Sequence, residues 1–570
     1  MRGKIFIISS IFILLFVLII ARLFYWQVIK GAELSEQANR QYKSSEVVTA
    51  RRGNILAADK SYLALSTEAW LVVANPQKID QSEKSIANKL APFFAADPED
   101  KQALLDETIR LEGLMSKKDA VWVALKQKIE SETKKNIEAM EITGITFEQE
   151  EGRYYPEASS SAQILGFVGK DEKGADLGYF GLEGYYNLAL SGKPGFLGLE
   201  KDARGTPILL NGSSQVNPVS GVDLMTSIDK RVQILTERKL VEGMEKYGAK
   251  SGSVTIMNPK NGEIIAMAAL PTFDPREYWK YGDTFFKNTV VSDTFEPGSI
   301  FKVLVMSSGL DADVVKPDTL CDICAEPLKL DKYFIKTWNN EYNADATMTD
   351  VIVHSDNVGM SFVGQKLGAD KMYEYLDKFG IGKLTGIDLQ GEVTPSMRKK
   401  GSWNVVDLAT TSFGQGIAVT PIQMVRAVSA IANGGILTTP HVVKQIKGEG
   451  WGESTKFERS ERVISTESAK QMTEMMVKAV NEGEAQWAKS TGFSVAGKTG
   501  TAQIPIAGHY DPEKTTARFI AFAPAKNPKF VMLVTLKEPQ SSPWAAETAA
   551  PLWFSIANDL FPYFGINPEN

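Results

Sequence analysis

Ser253-Val-Thr-Ile-Met-Asn-Pro-Lys-Asn-Gly-Glu-Ile-Ile-Ala-Met-Ala-Ala-Leu270 begins the most regular part of the chain, a pattern that starts at Ser251. Two apolar runs of strand length flank Asn261-Gly262, a strong hairpin signal because both residue types tolerate the positive φ of a tight turn. Toward the C-terminus, helical segments dominate from about Ser299 to Ala432. Three strand-like runs follow, VAGKTGTAQI (495–504), ARFIAFAPA (517–525) and KFVMLVTLKEP (529–539), and then the helical AAPLWFSIANDLFPYF (549–564). Strands, helices, strands and a closing helix predict an α+β domain at 245–565, an antiparallel sheet covered by helices. Asn558 and Asp559 interrupt the last segment, which is therefore expected to cover the sheet rather than cross a membrane.

Toward the N-terminus the regularity fades. From about Gln27 to Ser66 the sequence is mixed and polar, with strand-like pieces around VVTARRGNI (47–55), and a charged helical insertion is expected at about 82–140. There DPEDKQALLDETIRLEGL (97–114) and KDAVWVALKQKIESETKKNIEAM (118–140) carry apolar positions at helical spacing. Residues 144–214 turn to Gly, Tyr and Ser, typical of turns and short strands. The chain starts with Met1-Arg-Gly-Lys4 and an apolar run from Ile5 to Ala21 broken only by Ser9 and Ser10. Extended to Trp26, this run is long enough to cross a ~30 Å hydrocarbon layer. Arg2 and Lys4 before it predict a cytoplasmic tip (1–4), and Phe24-Tyr25-Trp26 an interfacial end. A cleavable signal peptide fits less well, because the run exceeds ~15 residues and no small-x-small site precedes the aromatics. The expectation is a single-pass anchor at 5–26 in the cell membrane, with the remainder extracytoplasmic.

Composition limits the chemistry. With 63 basic against 69 acidic residues, net −6, there is no global basic field for nucleic acid. Three histidines (His354, His441, His509) and two cysteines in 570 residues exclude a multi-zinc protein. Cys321 and Cys324 sit in a Pro- and Asp-bearing loop, DTLCDICAEP (318–327), and read as a structural pair or two idle thiols.

Three motifs occur in order within the α+β domain: Ser299-Ile-Phe-Lys302 after Glu296-Pro297-Gly298, Ser355-Asp356-Asn357, and Lys498-Thr499-Gly500-Thr501. The first two are individually weak. Ser131/Lys134, Ser227/Lys230 and Ser396/Lys399 also fit Ser-x-x-Lys. Lys-Thr-Gly-Thr is specific, with about a one per cent chance at ordinary residue frequencies. A serine hydroxyl needs a base, and i and i+3 on a helix share a face, which sets Lys302 beside Ser299. Lysine is a base only when neutral; burial and a second cation at Lys498 would lower its pKa. A helix start offers Ser299 a free N–H and a positive dipole end. Ser355 can relay a proton, and Asn357 can hold Lys302 and a substrate amide. Lys498 on a strand edge supplies charge for a substrate carboxylate, Thr499 and Thr501 add hydroxyl donors, and Gly500 lets a ligand backbone come close. His354 reads as a packing residue.

With this triplet the chain resembles the serine acyl-transferases that include penicillin-binding proteins and β-lactamases. ARLFYWQVIKG (21–31), ARRGNILAADKSYLALS (50–66), RYYPEASSSAQILGFVG (153–169), GLEGYYNLALSGKPG (181–195), LMTSIDKRVQ (224–233), SFGQGIAVTPIQM (412–424) and IANGG (431–435) narrow the resemblance to class B penicillin-binding proteins. The 153–169 segment looks closest to division-type members. The resemblance implies an anchor, an elongated non-catalytic pedestal of mixed α/β structure (27–225), and a transpeptidase domain that needs no metal or cofactor. It implies that Ser299 attacks a D-Ala-D-Ala bond of a peptidoglycan stem peptide, releases D-alanine and passes the acyl group to a neighbouring amine. Lys302 is then the base, Ser355 and Asn357 the relay, and Lys498, Thr499 and Thr501 the carboxylate holders. Backbone N–H groups of Ser299 and Thr501 would form the oxyanion hole. β-Lactams are implied as inhibitors. A membrane-embedded wall glycosyltransferase and division or elongation proteins are implied as partners.

The pedestal departs from the family pattern. Arg52-Gly-Asn-Ile-Leu-Ala-Ala-Asp-Lys60 lacks the usual Asp-Arg pair, Ala158 stands for a glycine, and Gln163 for a common histidine. Arg52 and Glu183 remain as a candidate interdomain pair. A hydrolase on the same site, a β-lactamase or carboxypeptidase, is the alternative, and rapid β-lactam turnover would favour it. A sensor would need a signalling domain across the membrane, and a scaffold would tolerate decay of a triplet that is intact here.

Overall fold

The computed structural model describes residues 2–172, 174–201, 207–208, 215–455, 460–506 and 509–569. The chain divides into two compact units. The smaller comprises Met1–Arg52, Ala69–Glu151 and Ser191–Gly221, the larger Gly53–Glu68, Gly152–Leu190 and Val222–Asn570.

In the smaller unit the apolar run forms the helix Arg2–Phe24, which continues as a π-turn over Tyr25–Ile29 and restarts as a helix at Gly31–Tyr42. Side chains from Gly3 to Ile29 are exposed. A stretch this apolar with no protein around it is a candidate membrane span, Gly3–Ile29. Helices Glu83–Phe94 and Lys101–Met115 pack on each other around Leu90, Leu111 and Met115. The insertion is not wholly helical, because Val123–Ile129 is a strand paired with Trp70–Ala74. Val123, Leu125 and Ile129 are buried while Lys126 and Lys128 are not. Val123 and Leu125 alternate with half-buried neighbours, and the alternation breaks at exposed Gln127 and at Lys128, which holds φ 56°.

The larger unit contains a five-stranded antiparallel sheet. Its strands are β1 (Ser251–Met257), β2 (Ile264–Leu270), β3 (Ala496–Ile506), β4 (His509–Ala523) and β5 (Phe530–Lys537), in the order β2-β1-β5-β4-β3. Gly262 turns the β1–β2 hairpin at φ 84°, and a Cβ there would lie 2.1 Å from the Thr439 carbonyl. Alternation assigns the two faces. Ile256, Phe519, Met532 and Val534 join a core with the helices α1 (Lys230–Tyr247) and α7 (Ala549–Tyr563), the latter contributing the fully buried Trp553. Met257, Ile520, Val531 and Leu533 join the opposite core. That core contains α2 (Lys302–Asp311), α3 (Met348–Val353), α4 (Asn357–Leu367), α5 (Pro421–Ala432) and α6 (Thr466–Glu482). β3 forms the free edge of the sheet beside this helical layer, which sets the place of the site.

Cys321 and Cys324 are joined in a disulfide. Two of the histidines are accounted for: His354 is exposed at the end of α3 rather than packed, and His441 is buried with Nδ1 against the Thr439 carbonyl. The side chain of His509 lies outside the described residues.

Candidate active site

The Ser299-Ile-Phe-Lys302 motif starts from a constrained turn. Gly298 holds φ 56° and donates its N–H to the Gly414 carbonyl. A Cβ on Gly414 would strike the Gly298 carbonyl oxygen at 2.2 Å, so the two glycines fix each other. Gly298–Phe301 form one 3₁₀ turn, and α2 begins only at Lys302. In 3₁₀ geometry i and i+3 eclipse, which sets Ser299 and Lys302 in line despite the shorter helix.

Lys302 is fully buried. Its Nζ donates to the Ser355 carbonyl (2.6 Å), the Ser355 hydroxyl (3.2 Å) and Asn357 Oδ1 (2.8 Å). Burial pushes its pKa well below the usual lysine range; Lys498 adds to this, and Asp356 and Glu484 oppose it. Ser355 and Asn357 are presented by the junction of α3 and α4. Asp356 caps α4 by accepting from the N–H groups of Val358 (2.7 Å) and Gly359 (3.2 Å). Asn357 Nδ2 donates one of its two hydrogens to the Lys336 carbonyl at 2.9 Å.

Lys498, Thr499, Gly500 and Thr501 lie on β3, paired with Ile520, Phe519, Arg518 and Ala517 of β4. Lys498 is 2% exposed, with the Thr499 carbonyl and hydroxyl at 3.4 Å from Nζ. Burial lowers its pKa against the opposing pull of Glu484. Thr499 donates to Glu484 Oε2 at 3.3 Å, and Thr501 Oγ1 accepts from the Ala545 N–H at 3.0 Å. A Cβ on Gly500 would meet Ile300 Cγ2 at 2.8 Å and Ile300 N at 3.0 Å. The glycine therefore lets the strand lie close against the Ser299 turn.

Ser299, Ser355, Asn357, Thr499, Gly500 and Thr501 line one cleft of about 330 Å³, with Trp338 and Trp544 at 5.3 Å between ring centroids on its border. The Ser299 hydroxyl makes no hydrogen bond among the described residues.

Two family descriptions match the chain: "Penicillin binding protein transpeptidase domain" over residues 252–561 and "Penicillin-binding Protein dimerisation domain" over 47–226. The chain belongs to the penicillin-binding protein transpeptidases. A dimerisation domain ahead of the transpeptidase domain is the class B arrangement. The family's fold is one for peptidoglycan substrates and β-lactams. Stage V sporulation protein D of Bacillus subtilis (strain 168) is 32% identical over 98% of this chain and 85% of its own length. Peptidoglycan D,D-transpeptidase FtsI of Buchnera aphidicola subsp. Schizaphis graminum is 28% identical over 98% and 95%. The crystal structure of a peptidoglycan synthetase from Bifidobacterium adolescentis ATCC 15703 superposes with a TM-score of 0.74 and 26% identity, covering 93% of this chain and 98% of that one. In fold alone, Penicillin Binding Protein 2X from Streptococcus thermophilus is alike, with a TM-score of 0.75, 23% identity, and coverage of 92% and 81%.

Residues outside the triplet also shape this penicillin-binding protein. Glu183 forms a buried ion pair with Arg153, Nε to Oε1 at 2.6 Å, and Arg153 Nη1 donates to the Gly53 carbonyl at 2.7 Å. Sequence reading offered Arg52 and Glu183 as a candidate pair; Arg153, at the head of the RYYP segment, is a partner of Glu183 that it did not name. Glu484, which touches Thr499 and biases both lysines, carried no sequence signal.

Proposed function

We propose that the chain is a membrane-anchored serine D,D-transpeptidase that cross-links peptidoglycan stem peptides. The observation that carries this reading is the cleft lined by an unengaged serine hydroxyl and the free edge of a Lys-Thr-Gly-Thr strand, with a buried lysine of lowered pKa bonded to the Ser355 and Asn357 that line it. Neutral Lys302 takes the Ser299 proton as Oγ bonds to the carbonyl carbon of the penultimate D-alanine. As an ammonium, Lys302 uses three donors on Ser355 and Asn357; deprotonated, it keeps two and gains a lone pair to accept from the serine. The C–N bond of the terminal D-alanine then breaks, and the proton returns to its nitrogen by way of Lys302 and Ser355. The amine of a second stem attacks the acyl-enzyme, forms the new amide and restores Ser299. The Ser299 and Thr501 N–H groups stabilise the tetrahedral oxyanion. Lys498, Thr499 and Thr501 receive the terminal carboxylate.

The anchor supports a cytoplasmic N-terminus with the transpeptidase domain (245–565) outside the membrane on a pedestal (27–225). The positive-inside bias of Arg2 and Lys4 gives the orientation. A division-type role follows from the 153–169 segment and from the relative named FtsI. A membrane-embedded wall glycosyltransferase and division proteins are its proposed partners. Labelling with a fluorescent penicillin tests the reaction. Wild type is expected to form a long-lived covalent adduct and Ser299→Ala none; an adduct on the alanine variant rejects the assignment.

A further inference from the structure

A second cavity, of about 280 Å³, adjoins the reactive cleft on the face of the sheet that carries α5. Its floor is Ser253 of β1, Thr516 and Arg518 of β4, and Thr535 and Lys537 of β5. Its roof includes residues 293–296, which run directly into Ser299, and Glu296, Ala502 and Gln503 line both cavities. None of these groups is used in the reaction described above.

Arg518 is 3% exposed, with its guanidinium carbon 3.7 Å from the centre of the Phe295 ring. Nη1 donates to the Glu296 carbonyl at 3.4 Å. Nε and Nη2, the edge that grips a carboxylate with two parallel bonds, have no acceptor among the described residues. The Thr535 hydroxyl beside it is buried and equally unpartnered. Two carboxylates border the cavity, but Asp293 faces Lys537 and Lys287, and Glu296 Oε1 accepts from the Gly416 N–H. Neither forms an ion pair with Arg518. Burial alone lowers the guanidinium pKa, to about 9, with no anion to offset it. A buried cation that lines a cavity and whose bidentate edge lacks an acceptor calls for an anion.

We infer that this cavity is a binding site for a small carboxylate, held by the Nε/Nη2 edge of Arg518 with Lys537 and the Thr535 hydroxyl. A single negative charge suits it better than a phosphate dianion, which Asp293 and Glu296 would repel. Arg518 holds the Glu296 carbonyl three residues before Ser299 and is the cross-strand partner of Gly500. An occupant therefore pulls on both walls of the reactive cleft. Two sources share the chemistry: a free amino acid such as released D-alanine, and a carboxylate on a bound stem peptide. Only this choice of sources rests on the transpeptidase reading.

The test uses the full-length protein in detergent, with Ser299 first converted to its penicilloyl adduct so that the reactive cleft is filled. Sodium acetate is titrated against chloride at equal ionic strength. A saturable rise in melting temperature of about 2 °C is expected with acetate alone. R518Q should abolish it, and K537Q, at an exposed position, should weaken the apparent acetate affinity several-fold. No saturable response in wild type, or an unchanged one in folded R518Q, overturns the site. If R518Q does not fold, K537Q and T535V decide, and unchanged acetate affinity in both overturns it. D-Alanine binding more tightly than N-acetyl-D-alanine supports the site with a free amino acid as occupant; the reverse supports it with a peptide carboxylate. Failure of the adduct to form counts against the transpeptidase reading alone, and the acetate response is then compared directly between wild type and R518Q.

Discussion

Lys302 Nζ reaches the Ser355 carbonyl oxygen at 2.6 Å, and Ser355 presents that oxygen from a left-handed backbone with φ 56°. A non-glycine residue held there costs on the order of 1 kcal/mol or more. The strain is retained where it aims an acceptor at the buried lysine. Ser355→Gly should relieve the backbone, and Ser355→Ala should keep the strain. Both lose the hydroxyl, so both should acylate with penicillin on the order of 10²-fold more slowly. The glycine variant should be more stable than the alanine variant by about 1 kcal/mol. Denaturant midpoints and acylation rates together check this; equal stability would show that the backbone is unstrained.

The lowered pKa of Lys302 has a pH signature. In the proposed reaction acylation requires neutral Lys302, so its rate should rise with pH through the native pKa and level off below the ordinary lysine value of about 10.4. Glu484 favours the charged form of both buried lysines. Removing its charge in Glu484→Gln should move the rising limb to lower pH. Lys498→Gln removes a cation that disfavours Lys302's charge and should move the limb to higher pH. The position of the limb, not the rate, is the measurement, since Glu484 borders the cleft and Lys498 lies on the strand that lines it. Shifts of the same sign in the two variants would reject the coupling.

The sequence carried the candidate site further than the scaffold around it, for physical reasons. The Asn261-Gly262 hairpin and the alternating late strands are local patterns, and the structure forms them as β1 to β5. Val123–Ile129 read as helix because lysine and glutamine suit either element, and only the partner strand at Trp70–Ala74 decides between them. Arg153 meets Glu183 across 30 residues, with no periodicity linking them. Gly500 is close in sequence to nothing that explains it, because its neighbour Ile300 lies on another element. Long-range packing of this kind leaves no mark within a window of sequence.

Gly500 gives a sharp steric test. Gly500→Ala places a methyl 2.8 Å from Ile300 Cγ2 and 3.0 Å from the Ile300 backbone nitrogen. The isoleucine side chain can yield; the backbone of the nucleophile turn cannot move without displacing Ser299. Overpacking of this kind typically costs about 1–3 kcal/mol. Acylation by penicillin should fall by at least about tenfold, as expected when a reacting group is misplaced. Gly282, where a Cβ would meet nothing within 4 Å, is the control, and Gly282→Ala should change neither quantity. Wild-type acylation in Gly500→Ala would show that the turn tolerates the displacement.

The Arg153–Glu183 pair predicts an asymmetry between breaking and replacing a buried charge. Its side chains are 5% and 0% exposed, and Arg153 also supports the Gly53 carbonyl. Glu183→Gln leaves the guanidinium buried without its anion, which should cost about 3–5 kcal/mol. Arg153→Met leaves a buried carboxylate and an unsupported carbonyl, with a cost of similar size. The double variant removes both charges and should be less destabilised than the two single losses added together, by about 1–3 kcal/mol. Urea denaturation of all four proteins measures the coupling. Strict additivity would mean that the two side chains do not depend on each other, and that the contact is geometric proximity without energetic consequence.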